Sequence, residues 1–232
     1  MKKTALTFLY LFIKSNGYAC VTCNKSIQKA IYDERFLPNL VTMLSAFIVL
    51  AIIVLVFSLI ALKKYRSGRE ENSPNLNPVP LSNAAIVLGI GIGGFIDGII
   101  LHQILQWHEM LSNRIPPSTL LNKSVNMFWD GIFHFFCLIV VCIGIVLLWR
   151  ITGKKDINRS GKLLGGGLIT GWGIFNIVEG VIDHQLLKLH NVRELTPNPE
   201  YWNLGFLIIS LLMMFLGYFL ISKASKNHAL NT

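Results

Sequence analysis

The sequence predicts an all-α integral membrane protein: a four-helix block built from two parallel two-helix repeats, plus one N-terminal transmembrane helix. Three observations carry that prediction. Of 232 residues, 53% are hydrophobic and only 14% charged, where soluble domains carry about 25% charged residues. The apolar residues gather into five runs, at 40–62, 84–107, 127–149, 163–189 and 204–222, and a spanning helix needs roughly 20 predominantly apolar residues. The second of these runs reappears 82 positions later as the fourth.

The chain opens differently. Lys2 and Lys3 precede a short apolar stretch, Thr4 to Ile13, and Gly17-Tyr18-Ala19 supplies small residues where a signal peptidase reads. Residues 1–19 are therefore expected to be a signal peptide, although Lys14 departs from the pattern. Cleavage after Ala19 would leave Cys20 open to lipid attachment, against a lipobox in which Gly17 replaces the usual Leu. Residues 20–66 follow as a short extracytoplasmic segment and the first spanning helix. Cys20 and Cys23 form a C-x-x-C there, readable as a disulfide, redox or copper pair. Residues 67–83, with Pro74, Pro78 and Pro80, read as an extended cytoplasmic linker. The main domain is 84–222 and the tail 223–232. Cys137 and Cys142, within the third run, read as small apolar fillers.

Charge sets the topology. Lys63, Lys64, Arg66 and Arg69 follow the first run, and Arg150, Lys154, Lys155, Arg159 and Lys162 separate the third from the fourth. Lys223 and Lys226 follow the fifth, while the other two loops hold only Arg114, Lys123 and Arg193. Cytoplasmic loops carry the excess of Lys and Arg, so the segment after residue 20 is expected outside and the C-terminus in the cytoplasm. The net charge of +9 is largely this bias. It flanks spans instead of forming a soluble basic face, and argues against a nucleic-acid partner.

The repeat is specific. Gly89, Gly91, Asp97, Gly98, Ile100, His102, Gln103, Leu105 and His108 match Gly171, Gly173, Glu179, Gly180, Ile182, His184, Gln185, Leu187 and His190. Further on, Trp129-Asp130 sits against Trp202-Asn203, with His134 opposite Leu207. Two parallel repeats of this kind are related by an axis along the membrane normal. The glycines read as helix-packing surfaces, since no strand precedes them to make a phosphate loop.

Five of the six histidines and four carboxylates (Asp97, Asp130, Glu179, Asp183) gather at the outer ends of the spans. Ionisable groups in membrane helices are costly and usually mark a site. The expected metal ligands are His102, His134 and His184, with Asp97, Asp130 and Glu179 as ligands or as groups that orient them. His108, His190, Asp183, Gln103 and Gln185 are supporting or alternative ligands, and His108 and His190 also read as interfacial anchors. Asp130 and His134 share a helix face, as do Asp97 and His108, but an unbroken α-helix turns His102 about 140° from Asp97. Only a bulge or helix end would change that. Mixed nitrogen and oxygen donors suit zinc or iron, with copper possible if histidines dominate. The two repeats also permit a two-metal site. Three other accounts stand beside this one: His102 and His184 clamping a haem, a hydrogen-bond network that only glues the repeats, and a proton or ion pathway.

The blocks Gly93-Gly94-Phe95-Ile96-Asp97-Gly98-Ile99-Ile100-Leu101-His102-Gln103, Trp129-Asp130-Gly131-Ile132-Phe133-His134 and Glu179-Gly180-Val181-Ile182-Asp183-His184-Gln185 resemble an uncharacterised family of bacterial polytopic membrane proteins with a domain of unknown function. The resemblance covers the four-helix block and leaves the C-x-x-C segment and first spanning helix outside it. It implies a multi-pass protein of the bacterial inner membrane. It also implies an association with respiratory and copper-oxidase assembly components, without a settled activity.

Overall fold

The computed structural model describes residues 24–67 and 76–230, with side chains for 24–65 and 76–225. The expected signal peptide, Cys20, Cys23 and most of the linker lie outside the described residues.

A short helix, α1 (Lys25–Ile31), starts on Asn24, whose side chain accepts from Ser26 N and Ile27 N. Ile27 and Ile31, four apart, bury its one apolar edge. Among the described residues, five helices long and apolar enough to cross a membrane follow: α2 (Phe36–Ser67), α3 (Val79–Ile96), α4 (Leu120–Ile151), α5 (Gly161–Glu179) and α6 (Pro199–Leu230). α3 and α5 run on without a break as π-helix, over Asp97–Ile104 and Gly180–Leu186.

The spans differ from the apolar runs at their ends. α3 begins at Val79, inside the expected linker, because Pro78 and Pro80 are compatible with a first turn that lacks backbone donors anyway. Its helical path stops at Ile104 and that of α5 at Leu186, short of the expected 107 and 189. Gln106 and Lys188 adopt φ of 50° and 49°. There Trp107 N donates to Leu101 O and Leu189 N to Asp183 O, the wide closing bond that ends a helix on a left-handed residue.

α3 and α5 cross at the centre of the block. A Cβ on Gly89 would overlap the backbone of Leu168, and a Cβ on Gly171 the backbone of Ile86. α4 lies on α3 through Gly91, whose Cβ would meet Val141 N, and α6 lies on α5 through Gly173, whose Cβ would meet Met214 N, both at 2.8 Å. Gly98 faces His134, and Gly180 faces Leu207. Each of these contacts therefore has a counterpart 82 positions along in α3 and α5, and 73 along in α4 and α6. Small residues let backbones approach this closely, where van der Waals packing holds helices together.

α2 lies against the same block. Met43, Ala46 and Leu50 are buried along one stripe, while Ile48, Ile52, Leu55 and Leu59 are exposed, as expected of a helix with one protein-facing and one lipid-facing side. Phe36 packs on Trp129 (5.5 Å between centroids) and Phe47 on Phe133 (5.8 Å). At the end of the block away from the π-helices, Asn77 pairs with Ile157 in an isolated bridge. Nearby, Arg159 donates to the carbonyls of Ile151, Thr152 and Lys154 at the end of α4, capping oxygens the helix leaves open.

Candidate metal centre

The π-helical segments set the site. Their hydrogen bonds run from residue i+5 back to i, as in Leu105 N to Ile100 O (2.8 Å) and Leu187 N to Ile182 O (2.7 Å). Asp97 and His102 are five apart, as are Glu179 and His184, so each pair is stacked one π-turn apart. His102 Nε2 comes to 3.1 Å from Asp97 Oδ2, and His184 Nε2 to 3.4 Å from Glu179 Oε1. The expected 140° offset of His102 is thus corrected. It assumed 3.6 residues per turn, and the chain departs from that pitch at Asp97.

Two loops complete the cluster. His108 and His190 lie beyond the helix ends, yet both are buried. They lie in loops, and Asp97 and His108 do not share a helix face, because the helix has ended between them. His108 Nδ1 lies 2.8 Å from Val192 O and His190 Nδ1 3.0 Å from Met110 O. A carbonyl only accepts, so both Nδ1 atoms carry hydrogen and the Nε2 atoms face the cluster. Asp130 does the same for His102, accepting from its Nδ1 and from Met110 N, both at 2.9 Å. In the second half Asn203 Oδ1 accepts from Val192 N at 2.9 Å.

The outcome is a row of four imidazoles, each in contact with the next. Ring centroids are 4.4 Å apart for His102 and His108, 4.5 Å for His108 and His190, and 4.7 Å for His184 and His190. Among the described residues, two groups have donor atoms close enough to share an ion: Asp97, His102 and His108, and Glu179, His184, His190 and His108. Both oxygens of Asp97, Glu179 Oε2, both ring nitrogens of His184 and the Nε2 atoms of His102 and His108 are buried with no hydrogen-bond partner among the described residues. Unpartnered buried polar atoms are rare and costly.

Electrostatics in the loops agrees. Burial holds His108 well below the ordinary imidazole value, reinforced by His102, His190 and His184 around it. His190 is raised instead: burial opposes its charge, but the Glu179 carboxylate 3.4 Å away outweighs it. Glu109, buried next to the cluster, is raised by that burial despite a 2.6 Å ion pair with Lys123.

Other expected residues lie elsewhere. His134 is half-buried, stacked on Phe95 at 5.8 Å and seated against Gly98, outside both donor groups. Its position one turn after Asp130 points it to α3, not to the imidazoles. Asp183 is buried with Oδ1 unpartnered among the described residues but belongs to neither group. Gln103 and Gln185 are exposed. Cys137 is buried against Gly94, and Cys142 is exposed. Asn176, which sequence patterns did not single out, is buried with its Oδ1 unpartnered among the described residues.

No curated protein and no solved structure matches the chain. A family model described as "Predicted membrane protein (DUF2243)" matches residues 84–224, which are the four-helix block, both π-turns and every donor of the cluster. The chain belongs to that family of membrane proteins of unknown function.

Proposed function

We propose that this protein is a membrane metal-binding protein whose centre lies near the outer face, holding one or two divalent ions between its two halves. The observation that carries the reading is the convergence of buried imidazole Nε2 atoms and carboxylate oxygens, among which the Nε2 atoms of His102, His108 and His184, both Asp97 oxygens and Glu179 Oε2 have no hydrogen-bond partner among the described residues. His102 Nε2 lies 3.1 Å from Asp97 Oδ2. A tetrahedral ion with bonds of about 2.0–2.1 Å separates its ligand atoms by about 3.3–3.4 Å. The separations around Glu179 Oε1, 3.4 Å to both His184 and His190, match that edge.

Read as two repeats, the ligands are Asp97, His102 and His108 in one and Glu179, His184 and His190 in the other. Each set is one carboxylate and two imidazoles, a combination used by catalytic zinc and by non-haem iron. Asp130, Val192 O and Met110 O fix the rings from behind, as outer partners of metal-bound histidines do. A bound ion would supply Lewis acidity or a reactive water.

The test is elemental analysis with an absorption spectrum on detergent-purified wild type and on a His102→Ala/His184→Ala double variant. Stoichiometric zinc, iron or copper in wild type and its loss in the variant are expected. Wild type free of metal after purification without chelator, and still free after reconstitution, would sink the reading.

A further inference from the structure

A slot of about 600 Å³ opens between the end of α3 and α6, within the 300–1,000 Å³ typical of ligand sites. Its walls are apolar and aromatic, among them Leu101, Trp172, Trp202 and Phe206, but Asp97 and Asn176 also line it. They are only 4% and 6% exposed, and both Asp97 oxygens and Asn176 Oδ1 have no hydrogen-bond partner among the described residues. Beside the slot, Trp107 and Trp202 meet edge to face at 5.1 Å with the Arg193 guanidinium over both rings. Tryptophans of this kind sit at the membrane–water interface.

The other half of the block shows what such a space accepts. Trp202 and Phe206 correspond to Trp129 and Phe133, 73 positions earlier, and there the space is taken by Phe36 and Phe47 of α2. That groove therefore holds apolar matter from within the membrane. The two differ at several lining positions: Gly94 stands where the open slot has Asn176, Asp183 where it has Leu101, and Ile90 where it has Trp172. In the open slot the Asn176 amide oxygen stands with the Asp97 carboxylate, and both Asp97 oxygens and that amide oxygen lack a hydrogen-bond partner among the described residues. An occupant matched to it is apolar over most of its length and carries a hydrogen-bond donor at one end.

We propose that this slot binds a lipid-soluble alcohol or phenol. The tail lies against Trp172 and Phe206, and the hydroxyl donates to Asn176 Oδ1 or Asp97 Oδ1. Since Asp97 is a ligand in the function proposed above, the bound hydroxyl stands beside the metal centre; only this last point rests on that reading.

The test uses full-length protein in lipid nanodiscs and a long-chain alcohol with a photoreactive diazirine on its chain, against the matching alkane without the hydroxyl. Labelled peptides are mapped by mass spectrometry, and metal content is measured on the same samples. The alcohol is expected to label the slot walls about fivefold more than the alkane, the worth of one hydrogen bond. Asn176→Leu should remove that preference. Gly205→Phe, at a slot position where a Cβ meets nothing within 4 Å, should remove the labelling while metal content stays at the wild-type level. Equal labelling by the two probes, or labelling undiminished in both variants, overturns the proposal and makes the slot ordinary lipid-facing surface. A second protein cross-linked into the slot in place of the probe overturns it too. Selective labelling of metal-free protein would sink the metal reading and leave the slot; metal without selective labelling would do the reverse.

Discussion

His108 and His190 exchange hydrogen bonds across the molecule: each Nδ1 donates to the carbonyl two residues beyond the other, Val192 O at 2.8 Å and Met110 O at 3.0 Å. Their rings stack at 4.5 Å, 9° from parallel. Two loops that share no helix are thereby locked together over the cluster.

His108→Ala and His190→Ala should each do two kinds of damage. Metal affinity falls because an Nε2 donor is lost. The fold weakens by about 1–3 kcal/mol, because a buried carbonyl loses its donor. Competition titration against a chromophoric chelator reads the first, and thermal unfolding of metal-free protein reads the second.

Asp130→Asn keeps an acceptor for His102 Nδ1 but removes the charge behind the ring. Metal affinity should fall about 10- to 100-fold, the usual effect of changing an outer partner, with little change in apo stability. Asp130→Leu should cost more of both, since it also strands Met110 N. If Asp130→Asn binds as tightly as wild type, the carboxylate does not work through His102.

The helix crossing makes a prediction of opposite signs. Gly89→Leu and Gly171→Leu would drive side chains into the backbones of Leu168 and Ile86, and overpacking costs about 1–3 kcal/mol or more. Gly131 has nothing within 4 Å of its Cβ, so Gly131→Ala should be neutral or stabilising by up to about 1 kcal/mol from helix propensity. Melting temperatures in one detergent decide both.

Acidification should release the metal, because imidazole ligands must be neutral to bind. His190 sharpens the sign. Its value is raised above the ordinary 6.5, against burial, by Glu179. In metal-free protein its stabilising contribution is therefore complete below the ordinary value and is lost as pH rises through the raised one. Metal affinity should climb over that same window. Isothermal titrations from mildly acidic to mildly alkaline buffer would show it, and a flat profile would exclude His190 as a ligand.

Much of this was legible in the residues. The runs that gave the five spans needed only hydropathy, and the 82-residue offset already paired Asp97 with Glu179 and His102 with His184. The turn geometry was not legible. No residue type announces a π-helix, so 100° arithmetic placed His102 on the wrong side of α3. The burial of His108 and His190 was equally hidden, since it depends on hydrogen bonds spanning 84 and 80 residues. Their shared place at the end of the repeated motif was the available signal. His134 misled because i, i+4 spacing from Asp130 says only that two residues share a face, while Gly98 decides what that face touches.

The π-turns make the centre a matter of counting more than of composition. Leucine for isoleucine at positions 99 or 100 leaves the stacking of Asp97 on His102 untouched. Straightening the segment to ordinary pitch at the same length turns His102 about 140° from Asp97, while the apolar span stays long enough to insert. A copy that kept every residue of this stretch but lost its π-turn would still reach the membrane with its cluster dismantled.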